Sequence, residues 1–192
     1  MLKGDRCNTP KCAMVKRNYP PGFHGPKGRK RPTDFGLQLT EKQKAKKQYN
    51  ILEKQFKLTF EKAQKQAGNA GENFLILLET RLDNVIYRAG FASSRNKARQ
   101  IINHGHINVN GKKVDIPSYQ VNSGEIIKFR IKGNNKIYQE ILQRFSSKAS
   151  FDVPGWLHVE TKELSIKILR KPSPAEIQTN INLQVIVEYY SR

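Results

Sequence analysis

The stretch from Arg81 to Phe129 constrains the fold most, because two helical runs and a hairpin follow one another in it, each with its own stop signal. Leu82, Val85, Ile86 and Ala89 recur at three- and four-residue steps, the spacing of one helical face, and Gly90 ends the run. Ser93 and Ser94 then offer an N-cap. Ala98, Ile101 and Ile102 mark the inner side of a second helix whose outer side carries Arg95 and Arg99. Those arginines are one helical turn apart, so both guanidinium groups can point the same way. Beyond His104-Gly105-His106 the period drops to two: Ile107-Asn108-Val109, then Asn110-Gly111, then Lys112-Lys113-Val114. Asn-Gly between short alternating segments is a strong hairpin signal, since both residues accept the positive φ of a type I′ turn. The stretch reads as a compact module that presents cations.

Charge narrows the partners. The chain of 192 residues has 35 Lys+Arg against 16 Asp+Glu, a net charge of +19, which favours polyanions and opposes self-association. Nucleic acid is the first candidate. A membrane is disfavoured, because no apolar run approaches the roughly 18 residues needed to span one and no lipidation signal occurs. Met1-Leu2-Lys3-Gly4-Asp5 lacks the apolar core of a secretory signal, so a cytoplasmic protein is expected.

Residues 1–36 form a basic Pro/Gly-rich arm without hydrophobic periodicity, and Lys27, Arg29, Lys30 and Arg31 make a dense cationic run in it. From Thr40, with Gln43 as a capping-box partner, Ala45, Tyr49, Leu52, Phe56, Phe60 and Ala63 predict one amphipathic helix ending before Gly68. Lys44 and Lys47 belong to its outer lysine face, beside the arm. Glu72 to Glu79 predicts a helix buried on more than one side. Further on, Gly124–Ile131, Trp156–Val159 and Leu164–Ile168 read as strands, and Asn134–Ser147 as a helix. Ile181–Tyr190 is ambiguous between helix and strand, and Trp156 reads as core.

Catalytic patterns are missing. There is no Walker loop, no Gly-x-Ser-x-Gly elbow, no His-Glu-x-x-His pair and no paired-carboxylate arrangement. His104 and His106 have no cysteine or carboxylate neighbour and suit a phosphate contact or a plain surface role. Cys7 and Cys12 are either free thiols or half of a structural metal knuckle, with His24 as a third donor and no evident fourth.

The motifs resemble a known family. Leu2-Lys3-Gly4-Asp5-Arg6-Cys7 through Cys12, Tyr19-Pro20-Pro21-Gly22-Phe23-His24-Gly25, Asp34-Phe35-Gly36, and Gly71-Glu72-Asn73 through Arg99 are similar to bacterial-type small-subunit ribosomal protein S-four. So are Val109-Asn110-Gly111, Ser118-Tyr119-Gln120-Val121 and Glu188-Tyr189-Tyr190-Ser191. The resemblance covers essentially the whole chain. It implies an α+β fold: a mostly helical domain over residues 37–80, closed by segment 172–192, with an RNA-binding domain inserted at 81–171. It also implies a non-enzymatic, primary binder of the 5′ domain of small-subunit ribosomal RNA that nucleates assembly of the subunit body. Neighbours would be proteins S-five and S-three where mRNA enters, with a share in translational accuracy. The arm around Lys27–Arg31 would lie near mRNA.

Two departures from the family pattern stand out. Relatives with a metal site carry a Cys-x-x-Cys pair upstream of the positions of Cys7 and Cys12, so zinc or an iron-sulfur cluster is expected only with an intact N-terminus, and no cofactor in the chain as given. Many relatives also have Glu where this chain has Lys97, which puts a cation near a helix N-terminus and makes sense if a phosphate sits there. The expected RNA contacts are Arg95 and Arg99 as phosphate clamps, Lys97 near the start of the same helix, Lys112 and Lys113 at the hairpin edge, Lys44 and Lys47 as a bridge, and Lys27, Arg29, Lys30 and Arg31 in the arm. The rivals are an RNA-modifying enzyme carrying the same module, whose catalytic domain has no room here, and a regulator of mRNA translation.

Overall fold

The structure, a computed structural model, describes all residues except 1, 3, 29, 30, 131–134, 147–152, 178 and 192. Among its described residues the arm forms only short turns: a 3-10 turn Gly4–Asn8, α1 (Ala13–Lys16) and a second 3-10 turn Gly25–Lys27. None of its described hydrophobic residues enters a buried core.

The single helix expected from Thr40 is two helices. α2 (Asp34–Tyr49) starts earlier because Thr33 is the cap, its Oγ1 accepting from the Gly36 N–H at 3.2 Å. Thr40 lies inside the helix and donates its hydroxyl to Gly36 O at 2.7 Å, which corrects the Thr40/Gln43 capping box. The helix stops where Asn50 turns left-handed, at φ 54° and ψ 49°. Asn50 N–H donates to Lys47 O and Ile51 N–H to Lys46 O, the paired bonds of a Schellman stop, and asparagine is among the few residues tolerant of that conformation. α3 (Glu53–Gln64) follows, and Leu52, expected on the apolar face, is 79% exposed at the break.

α4 (Ala70–Glu79) is capped by Asn69, whose Oδ1 accepts from Gly71 N–H at 2.9 Å. α5 (Leu82–Arg88) and α6 (Arg95–Asn103) follow, the latter capped by Ser94. Then come β1 (Ile107–Val109), β2 (Lys112–Lys113), β3 (Ile126–Phe129), α7 (Lys136–Ser146), β4 (Leu157–Glu160), β5 (Ser165–Ile168) and α8 (Leu183–Tyr190). The ambiguous C-terminal segment is thus helical, started by Asn182, whose Oδ1 accepts from Val185 N–H at 3.3 Å. The expected Asn-Gly hairpin is present, with φ 49° at Asn110 and 81° at Gly111. The strands form one antiparallel sheet in the order β2-β1-β3-β5-β4. The register sets Ile107 opposite Phe129 and Val109 opposite Ile127, and alternation puts all four on the buried face.

Two hydrophobic cores result, an α+β arrangement. One is all-helical: Ala45, Phe56, Phe60, Phe74, Leu75 and Leu78 bury against Ile181 and Ile186. Phe74 meets Phe56 and Phe60 edge-on at 4.9 and 5.4 Å, and Tyr190 of α8 stacks on Phe60 at 4.7 Å. Each buried ring contributes about 1.5–3 kcal/mol over an exposed one. The other core joins α5, α6 and α7 to the sheet around Ile86, Ile102, Ile127, Ile166 and Trp156, which is 1% exposed.

Candidate nucleic-acid interface

The two cores meet at Glu79, the last residue of α4, which is 1% exposed. Its carboxylate accepts from Tyr49 Oη at 2.7 Å, Asn84 Nδ2 at 2.7 Å, and Arg88 Nε and Nη2 at 3.0 and 2.8 Å. Burial pushes the Glu79 carboxyl up, but these donors outweigh it and hold its pKa below the ordinary carboxylate value. Burial, then the Glu79 charge, pushes the Tyr49 hydroxyl well above its usual pKa, so it stays a neutral donor. Tyr49 ends α2, and Asn84 and Arg88 ride on α5, so one carboxylate ties three helices.

Arg95 extends this hub. Its Nε donates to Asn84 Oδ1 at 2.8 Å, and its guanidinium lies between the rings of Tyr49 and Tyr87, 4.8 and 4.5 Å from their centroids. Burial lowers its pKa from the usual arginine value. Arg99 Nη1 donates to Asn50 O at 2.7 Å, the carbonyl at the α2–α3 break. The expected outer basic face of α6 is therefore corrected: both arginines turn toward the helical domain, because α2 supplies the Tyr49 ring and its left-handed stop the carbonyl that receive them.

Lys97 behaves differently from what its neighbourhood suggests. Ser94 Oγ accepts from the Lys97 N–H at 3.3 Å, so half of the capping box persists. The side chain pairs with Glu140 of α7 at 3.1 Å, which supplies negative charge beside that helix start.

At one edge of the sheet, Lys112 and Lys113 form the exposed strand β2. Lys113 pairs with Asp115 at 3.6 Å and lies over Gly105, where a Cβ would meet its Cε at 2.6 Å. Lys112 has no ion pair among the described residues. His106 stands nearby, its pKa lowered by burial, by His104 and by Arg130. In the arm, Lys27 sits 5.0 Å above the Phe23 ring, which is 81% exposed, and Arg31 is exposed. Arg29 and Lys30 lie outside the described residues. Cys7 and Cys12 are not in a disulfide, and among the described residues no three His, Cys, Asp or Glu side chains converge. Among the described residues His24 is therefore not gathered with the two thiols.

Of the expected site residues, Lys44, Lys47 and Arg95 come together in one cleft of about 450 Å³, with Arg88 and Tyr87. Lys112 and Lys113 lie on the sheet edge instead. Sequence reasoning passed over Glu79, Asn84, Tyr49 and Arg88. One signal was available: Glu79 falls four residues after Leu75 on the apolar run of α4, which puts a carboxylate on a buried face.

Comparison with known proteins follows the same division of the chain. Residues 1–79 match the "Ribosomal protein S4/S9 N-terminal domain" and residues 80–127 the "S4 domain", so the boundary falls directly after Glu79. "Small ribosomal subunit protein uS4A" of Alkaliphilus oremlandii is 52% identical over 191 residues, 100% of this chain and 90% of the relative. The chain belongs to the ribosomal protein S4 family. "Small ribosomal subunit protein uS4" of Thermodesulfovibrio yellowstonii is 50% identical and that of Thermus thermophilus 47%, each with the same coverage. Within the S4 family frame, the Glu79 hub is the joint between the N-terminal domain and the S4 domain.

Proposed function

We propose that this S4-family protein is a non-enzymatic structural constituent of the small ribosomal subunit in the cytoplasm, and that it binds small-subunit ribosomal RNA. The observation that carries this reading is similarity over the full chain to proteins named for that subunit. The physical support is a net charge of +19, with cations from both domains gathered on the joint and others exposed on the sheet edge. The mechanism is phosphate neutralisation with counterion release, together with recognition of folded RNA shape.

At finer grain, the RNA is its 5′ domain, bound early so as to nucleate the subunit body. The neighbours are S-five and S-three where mRNA enters, through which the protein contributes to translational accuracy. Nuclease footprinting on small-subunit RNA tests the reading. The expected result is protection confined to folded 5′-domain RNA, with log affinity falling by about 0.7–0.9 per phosphate neutralised for each log unit of salt. Equal affinity for random RNA refutes it.

A further inference from the structure

Asn110 does more in the β1–β2 hairpin than accept a positive φ. Its N–H donates to Ile126 O at 2.9 Å, and its side-chain Oδ1 accepts from Ile126 N–H at 3.0 Å. The side chain thus extends the β1–β3 ladder one rung past the Val109–Ile127 pair. The same bond polarises the carboxamide and draws electron density from its Cγ. The next residue is glycine, and no other asparagine in the chain is followed by one. Gly111 is exposed, and a Cβ built on it would meet nothing within 4 Å. Its N–H takes no hydrogen bond among the described residues. An unhindered main-chain nitrogen therefore follows a polarised carboxamide, the pair of groups that cyclises to a succinimide.

Ring closure needs Asn110 to leave its left-handed turn and release Ile126, so the fold sets the rate through local opening. That opening disturbs little. β2 is the edge strand of the sheet, two exposed residues that pair with β1 through Asn108–Lys113 and Val109–Lys112. Ile126 is itself 38% exposed at the start of β3. In the open tip, hydroxide removes the Gly111 amide proton and the nitrogen lone pair bonds to Cγ. The Cγ–Nδ2 bond breaks, and ammonia leaves after taking a proton from water, which regenerates the hydroxide. One water then opens the ring. Cleavage between nitrogen and the Asn110 main-chain carbonyl carbon gives isoaspartate, and cleavage between nitrogen and Cγ gives aspartate.

We propose that Asn110 is a self-modifying site: the hairpin tip of the folded protein converts spontaneously to isoaspartate, with water consumed and ammonia released. The inference does not depend on the RNA-binding reading. Isoaspartate adds one carbon to the main chain at the turn, which ends the I′ geometry and the rung to Ile126. It also leaves a carboxylate beside Lys112 and Lys113, so the sheet edge loses positive charge as the molecule ages.

The whole chain, aged at mildly alkaline pH without RNA, tests this. Peptide mapping reads the mass gained when an amide becomes an acid, and an isoaspartate methyltransferase with radiolabelled S-adenosylmethionine labels the isoaspartate. Both signals should be confined to the peptide that holds Asn110, and should grow in proportion to hydroxide. The helix caps Asn69 and Asn182, each followed by a residue with a Cβ, should remain amides. Asn110→Gly suits the same positive φ and should lose the label entirely. Urea should speed conversion by releasing the clip to Ile126. Label that appears in urea but not in the folded protein overturns the proposal, and so does label shared evenly among the asparagine peptides. On a cation exchanger the labelled fraction should elute ahead of the unlabelled protein, and co-elution overturns the loss of charge at the edge.

Discussion

Arg95 and Lys112 are both cations of the S4 domain, yet the fold treats them in opposite ways. Arg95 is stacked between two tyrosines and bonded to Asn84, whereas Lys112 stands on an edge strand without an ion pair among the described residues. The first has lost its conformational freedom during folding, so its contacts are geometric and demanding. The second keeps its freedom and acts through long-range charge, which tolerates imprecision and is screened by salt. One domain therefore holds two kinds of cation: those whose placement depends on how the domains sit, and those whose placement does not.

That contrast is sharpest in stability. Glu79→Ala removes the common acceptor of Tyr49, Asn84 and Arg88 and leaves a largely buried guanidinium unpaired, so unfolding free energy should drop by about 3 kcal/mol in urea titrations. A change as small as that for a surface lysine breaks the distinction. Next in size is Arg99→Ala, which frees Asn50 O at the helix break; the expected loss is about 1.5 kcal/mol, read the same way.

Acid exposes part of the Glu79 contribution. Its folded pKa lies below the unfolded carboxylate value of about 4.3, so its stabilisation is complete above that pH and is lost as pH falls through the folded pKa. Melting temperature should therefore fall more steeply below about pH 4 in the wild type than in Glu79→Gln. Lys112→Ala should give the smallest effect, a stability change within about 0.5 kcal/mol, while its RNA salt slope drops by about 0.7–0.9. Equal slopes for wild type and variant would remove Lys112 from the interface.

How far the sequence reveals this depends on the range of the interaction. The α5–α6–hairpin module was legible because its signals are local: apolar spacing, the Ser94 cap and Asn110-Gly111 all act within a few residues. The break at Asn50 was hidden because the apolar positions Ala45, Tyr49, Phe56 and Phe60 keep helical spacing across it, and only a left-handed residue tells that the helix stops. The joint was hidden for another reason. Whether Arg95 faces RNA or Tyr49 depends on residues 46 positions apart meeting in space, and Arg and Lys look alike in a count of positive charge. Net charge names the partner class correctly but does not say which cations are free to meet it.

The path of the chain through the helical core has a consequence for its birth. α8 packs on α2 and α4, and Asn182 N–H reaches Glu41 across 141 residues of sequence. During synthesis the S4 domain can close on its own local contacts, while Phe56, Phe60 and Phe74 wait for a lid that emerges only after it. Such non-local closure is slow, and an uncovered aromatic cluster is prone to aggregate in the interval. The nascent protein is thus most vulnerable in its N-terminal half, and late arrival of α8 is the step that chaperoning or RNA binding has to outlast.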